Sequence, residues 1–183
     1  ARALAEIRSL GACRHPNVVA LAGAHFDRER LYIFSEHVPC GTLRTVLNAM
    51  SRARKGPDGE RPEGQRSGMD MRDPARAASG GGGMPEYAAQ FHAACAVLAL
   101  EHLSLHGIAH RDLRPEALLI DMQGYAKLGG SDFASVLGRP SGRERTYTLC
   151  GSPEYMAPEM LLRCGHDGRV DVWAMGVVLF ELL

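Results

Sequence analysis

One stretch limits what this chain can fold into before any motif is read. From Ser51 to Gly83 aliphatic residues nearly vanish, Gly, Pro, Arg, Ser and Asp take over, and the stretch closes on Gly80-Gly81-Gly82-Gly83. Such a segment cannot bury enough apolar surface to offset its ordering entropy. It predicts a disordered surface insertion, so the packed fold must come from the residues on either side. The glycine run does not read as a phosphate-binding loop, because no strand pattern precedes it and no Gly-Lys-Ser/Thr follows.

Before the insertion, Leu4, Ile7 and Leu10 recur near the helical period and Gly11 offers a stop. Val18–Phe26 and Leu31–Phe34 read as strands joined by the charged turn Asp27-Arg28-Glu29-Arg30. Leu43, Val46, Leu47 and Met50 predict a short helix after Gly41. After the insertion, Phe91, Cys95, Leu98, His102 and Leu105 trace one face of a long helix. Leu118–Ile120 and Tyr125–Leu128 read as short strands around the turn Asp121–Gly124, and Gly129–Pro158 as irregular chain. Val170–Leu183 is apolar almost all round, which predicts a buried core helix.

Composition narrows the function classes. The 183 residues suit one ordinary domain or part of a larger one. Lys plus Arg and Asp plus Glu both number 21, so the basic excess of a nucleic-acid or membrane-surface binder is missing. Cys13, Cys40, Cys95, Cys150 and Cys164 show no zinc-knuckle or redox spacing and read as free thiols in a reducing, cytoplasmic compartment. His15, His25, His92, His102, His106 and His166 show no ligand spacing and read as structural or surface residues. No secretory signal opens the chain, and the apolar run Val172–Leu183 is too short to span a bilayer. The first residue is Ala and the last segment stops inside a helix pattern, so a fragment is expected.

Three separated blocks carry the chemistry: HRDLRPE at His110–Glu116, GSPEYMAPE at Gly151–Glu159 and DVWAMGV at Asp171–Val177. One tripeptide would be weak evidence; three blocks in this order and spacing are specific. The chain resembles the eukaryotic protein kinase domain. LRPE and GSPEYMAPE are similar to the serine/threonine type, and AAQFHAACAVLALEHL with TLCGSPEYMAPE to the cyclic-nucleotide-dependent group. The resemblance implies an α+β, protein-kinase-like bilobal fold, present in part. Residues 1–35 would be a remnant of the smaller lobe, 36–50 the hinge and a short helix, and 51–83 the insertion. Residues 84–183 would hold the catalytic loop, activation segment and central helix of the larger lobe. It also implies ATP-dependent phosphorylation of protein Ser/Thr, with ATP and Mg²⁺ as cofactors and a protein substrate or partner, without nucleic acid or membrane.

Roles follow by position. Glu6 matches the helix glutamate that pairs with the ATP-binding lysine. Leu10 and Leu21 match hydrophobic spine positions. Ser35 falls at the gatekeeper position before the hinge Glu36-His37-Val38, and Leu119 matches the residue beneath the adenine ring. Asp112 matches the catalytic base that accepts the substrate hydroxyl proton. Arg114 replaces the usual lysine near the transferred phosphate, keeping charge but changing geometry. Arg111 matches the partner of a phosphorylated activation-segment residue, and Thr148 holds that position. Ser152 matches a substrate-positioning residue, and Asp171 the aspartate that braces the catalytic-loop backbone.

The pattern breaks at the metal. The asparagine that holds one Mg²⁺ is replaced by Ala117, and a methyl group cannot ligate an ion that demands oxygen. Counting without gaps from Asp112 places the principal metal aspartate at Gly130, followed by Ser131 where the spine Phe belongs. A register with two inserted residues would instead use Asp132-Phe133-Ala134 and keep Asp132 as the metal ligand. The flanking IDMQGYAKL favours the gap-free count. The Gly-rich loop over the phosphates and the lysine strand are also absent. Three readings stay open: an impaired domain (pseudokinase) acting by binding, a kinase active in full length through Asp132, and a non-functional gene fragment.

Overall fold

The computed structural model describes residues 11, 13–55, 83–130, 135–136 and 145–183. The opening helix pattern with Glu6 and Leu10, most of the glycine-rich stretch, and Ser131, Asp132 and Phe133 lie outside the described residues.

Strands β1 (Leu21–Phe26) and β2 (Leu31–Ser35) form an antiparallel hairpin. Asp27 makes its turn: Oδ1 accepts the amides of Glu29 (2.8 Å) and Arg30 (2.7 Å), the local bonding that favours Asp in turns. β1 starts three residues later than its apolar pattern, because the residues before it are used elsewhere. The Val19 amide donates to the Leu128 carbonyl (2.9 Å) and the Leu128 amide to the Asn17 carbonyl (2.7 Å).

Helix α1 spans Leu43–Lys55 and buries Leu43 and Leu47. It runs past Met50 into the polar stretch, since Arg52, Ala53, Arg54 and Lys55 are good helix formers and basic residues suit a helix C-terminus. Helix α2 spans Glu86–Leu105, but its buried face is Ala89, Cys95, Ala96, Ala99 and Leu103. The expected face is corrected: Phe91, Leu98 and Leu105 are exposed. A helix apolar on most sides has no readable stripe. The alanines win the interior because they let α2 lie close to its neighbours.

Strands β4 (Leu118–Ile120) and β5 (Ala126–Leu128) pair antiparallel without a bulge. Asp121 closes their turn, its Oδ1 accepting the Gln123 and Tyr125 amides at 2.9 Å. The short strand β3 (Ile108–Ala109) pairs with β6 (Ser135–Val136), giving order inside a stretch read as irregular. A 3₁₀ turn (Pro153–Tyr155) and helix α3 (Pro158–Leu161) lead to α4 (Arg169–Leu182).

α4 packs against α2. It buries Val170, Asp171, Ala174, Met175, Val178 and Leu182, while Val172, Trp173 and Phe180 are exposed. The helix thus buries one stripe in this chain rather than its whole girth. Gly83 is packed tightly here: a Cβ on it would lie 2.4 Å from the Leu183 carbonyl oxygen. The next residue, Met84, donates its amide to the Leu182 carbonyl (2.7 Å). The end of the polar stretch is therefore part of the packed core.

Candidate active site

The turn from β3 to β4 carries His110, Arg111 and Asp112, all buried. Arg111 has φ 67°, a left-handed conformation strained for a side chain of that size. Asp171 at the start of α4 holds it in place. Its carboxylate accepts the His110 amide on Oδ2 (2.8 Å) and the Arg111 amide on Oδ1 (2.7 Å). Burial pushes the Asp171 carboxyl above the usual carboxylate range; the neighbouring Arg111 charge and the two amides oppose that shift.

His110 links this turn to the end of β5. Its Nε2 lies 2.8 Å from the Gly129 carbonyl, which can only accept, so Nε2 carries the proton and Nδ1 faces the Asp112 amide at 3.4 Å. Gly129 also donates its own amide to the Ala117 carbonyl (2.8 Å). A Cβ at Gly129 would lie 2.7 Å from Leu119 Cδ1 and 3.1 Å from Val19 Cγ2, so those side-chain ends would have to shift to admit one.

Asp112 is fixed from the other side by the Gly151–Ser152 backbone. Its Oδ1 accepts the Ser152 amide (2.8 Å), and its Oδ2 lies 3.4 Å from Arg114 Nε. Gly151 has φ +95°, and a Cβ there would sit 2.4 Å from the Arg111 carbonyl oxygen. The HRD and GSPE blocks, forty residues apart in sequence, thus meet through glycine-dependent backbone contact. Thr148 is exposed; its amide donates to Thr146 Oγ1 at 3.4 Å. Thr146 is itself tied by two backbone bonds to His166.

The segment after β2 that includes the expected hinge runs beside the β4–β5 hairpin. The Cys40 amide donates to the Ile120 carbonyl (3.2 Å), and the Ile120 amide to the Gly41 carbonyl (2.9 Å). Val38 is buried, Leu119 half-buried and Ser35 exposed. Glu36 takes the Ala20 amide (2.8 Å) and the Lys127 ammonium (2.6 Å) on Oε1. Burial alone would raise its pKa, but Lys127 and Ala20 outweigh it and hold the carboxyl low. Lys127 was missed from sequence. Its signal was the two-residue period of β5, which sets it opposite Leu119.

A second polar group joins α1, the catalytic loop and α4. Arg44 donates from Nε to Glu116 (2.7 Å), from Nη2 to the Tyr155 hydroxyl (2.8 Å) and from Nη1 to Glu181. Tyr155 in turn donates to Glu181 Oε2 (2.5 Å). Burial, then the Glu181 carboxylate, push the Tyr155 phenol up to about 12.

Ala117 and Gly130 test the fit of a metal. A Cβ on Gly130 would lie 3.6 Å from the Ala117 Cβ, so the two positions adjoin, and neither carries a side-chain oxygen. Mg²⁺ requires oxygen ligands. These two residues do not fit it, and Asp132 lies outside the described residues.

The protein kinase domain model matches residues 1–183. A protein described as "cAMP-dependent protein kinase, catalytic subunit-like" from Caenorhabditis briggsae is 33% identical over 178 residues, covering 97% of this chain and 37% of that protein. The cAMP-dependent protein kinase catalytic subunit of Dictyostelium discoideum is 36% identical over 174 residues, 95% of this chain and 21% of that protein. The Drosophila melanogaster cGMP-dependent protein kinase, isozyme 1, is 46% identical over 102 residues, 56% of this chain and 13% of that protein. The chain belongs to the protein kinase family, and the relatives it matches include cAMP-dependent, cGMP-dependent and ribosomal protein S6 serine/threonine kinases. It spans 37% and 21% of the length of the two relatives that it matches along nearly all of its own length. Among the described residues no helix is long and apolar enough to cross a membrane.

Proposed function

We propose that this chain is the catalytic-loop core of a serine/threonine kinase-like domain impaired in Mg²⁺-dependent phosphoryl transfer, a pseudokinase that acts by binding a protein partner. One observation carries the reading: Ala117 and Gly130, which in the gap-free register take the family's metal-holding positions, adjoin and offer no side-chain oxygen. Phosphoryl transfer depends on positioning and on neutralising charge at the phosphates. Asp112 keeps its bracing, so the loop that would receive a substrate hydroxyl survives while the charge-neutralising positions do not.

Residues 1–35, 36–50, 51–83 and 84–183 take the family's lobe, hinge, insertion and larger-lobe roles in this proposal. Ser35, Glu36, Val38 and Leu119 would border an adenine, Glu6 would pair with the family's ATP-binding lysine, and Arg111 would meet Thr148 once phosphorylated. The exposure of Thr148 supports that last role. The partner would dock on the activation segment or the insertion. The absence of a disulfide among the five cysteines supports a cytoplasmic setting.

The test uses the complete protein. Transfer of γ-phosphate from Mg-ATP to itself and to a basic serine peptide is compared with Asp112→Asn. Equal, background transfer by both folded proteins is expected. Transfer that Asp112→Asn abolishes would overturn the proposal and mean that Asp132 or another group holds the metal.

A further inference from the structure

A cluster outside the kinase site carries a different chemistry. The Cys13 sulfur and one ring nitrogen from each of His102 and His106 lie within 4.8 Å of one another. Cys13 is 2% exposed and precedes β1; the histidines stand four residues apart at the end of α2, on one face. We propose that Cys13, His102 and His106 bind a zinc-type divalent cation that fastens the segment before β1 to the end of α2.

The hydrogen bonds suit that role. His106 Nδ1 lies 2.8 Å from the His102 carbonyl, so Nδ1 carries the proton and Nε2 keeps its lone pair. Metal-bound histidines commonly donate their other ring N–H to a backbone carbonyl in this way. His102 Nε2 is shut from solvent and has no hydrogen-bond partner among the described residues. A buried polar atom left bare needs an explanation, and a ligand supplies one. Burial, then the neighbouring His106 and His15, lower the His102 pKa and keep its ring neutral, as a ligand must be.

His15 stacks on His102 with ring centroids 4.9 Å apart. Its Nδ1 accepts the Asn17 amide (3.1 Å), which puts its proton on Nε2 and makes it a wall of the site rather than a ligand. Three protein ligands leave a fourth position for water. A groove of about 450 Å³ borders the site on the Cys13 side, lined by Cys13, Arg14, His15 and Glu36. Zn–S and Zn–N bonds of roughly 2.3 and 2.0 Å would require the three ligand atoms to close in modestly, by side-chain rotation. Binding would displace the Cys13 thiol proton, whose pKa burial has raised, so uptake should release a proton.

Co²⁺ is the probe, added to the complete, metal-free protein and then displaced by Zn²⁺. The expected result is one Co²⁺ showing tetrahedral colour and a thiolate-to-cobalt charge-transfer band, with the band lost in Cys13→Ser. Zn²⁺ affinity should fall at least roughly tenfold in His106→Ala. His106 is exposed, so that variant keeps its fold and decides the matter if Cys13→Ser does not fold. No charge-transfer band in the wild type, or unchanged Zn²⁺ affinity in His106→Ala, overturns the proposal. The result does not depend on kinase activity.

Discussion

Ala117 and Gly130 stand side by side, so close that a Cβ added to Gly130 would lie 3.6 Å from the Ala117 methyl. The pairing arises because β4 and β5 run without a bulge and the Gly129 amide donates to the Ala117 carbonyl. Restoring oxygen at both places should therefore restore one metal-binding surface. In the complete protein, the Ala117→Asn/Gly130→Asp double variant is expected to melt higher with ATP plus Mg²⁺ than with ATP alone. Saturation to a hundred times Kd would add about 2.7 kcal/mol. Gly130 has φ +68°, which Asp tolerates better than most residues. A wild type that already shows the Mg²⁺ increment would contradict the reading.

Asp171 is the bracing residue to remove. Asp171→Ala leaves the His110 and Arg111 amides without acceptors and releases the strained Arg111 backbone. Buried groups left unsatisfied cost about 1–3 kcal/mol each, so a total of about 3 kcal/mol is expected. Urea unfolding followed by circular dichroism would measure it. A loss under about 1 kcal/mol would mean that water or a shifted backbone replaces the carboxylate.

Gly151→Ala tests the contact between the two blocks. The added methyl meets the Arg111 carbonyl at 2.4 Å in a φ +95° backbone, so the segment must move. Hydrogen exchange at the Ser152 amide, now bonded to Asp112, should speed up markedly. Unchanged protection would show that the approach does not depend on glycine.

His166 gives an acid limb to stability. Burial, then the Arg111 charge, lower its pKa below the ordinary 6.5, so the native ring stays neutral where the unfolded one takes a proton. Its contribution is full above about pH 6.5 and is lost as pH falls through the lower folded value. The wild-type urea midpoint should drop between pH 7 and pH 5, and His166→Gln should drop less. Equal slopes would remove His166 as a cause; His92 and His102, also lowered by burial, would then account for the limb.

The motif blocks, the turn at Asp121 and the strands around it could be read directly, because each depends on near neighbours in the chain. The buried face of α2 could not. Phe91 and Leu98 are more apolar than Ala96 and Ala99, yet the alanines are inside, since closeness of approach between elements is not written in periodicity. The extension of α1 to Lys55 was hidden by reading composition where helix propensity prevailed. His102 and His106 read from sequence as structural or surface residues, because Cys13, eighty-nine residues earlier than His102, joins them only in space.

Residue identity alone settled which chemical groups this protein can offer: an Asp112 in a kinase loop, a methyl at 117 and a hydrogen at 130. No packing can give those last two an oxygen. Whether they share one place, whether Ser152 reaches Asp112, and whether Cys13 meets two imidazoles were decided by the fold. Such pairings come from long-range contacts whose closure entropy is repaid by the whole core together, so no local stretch of sequence encodes them.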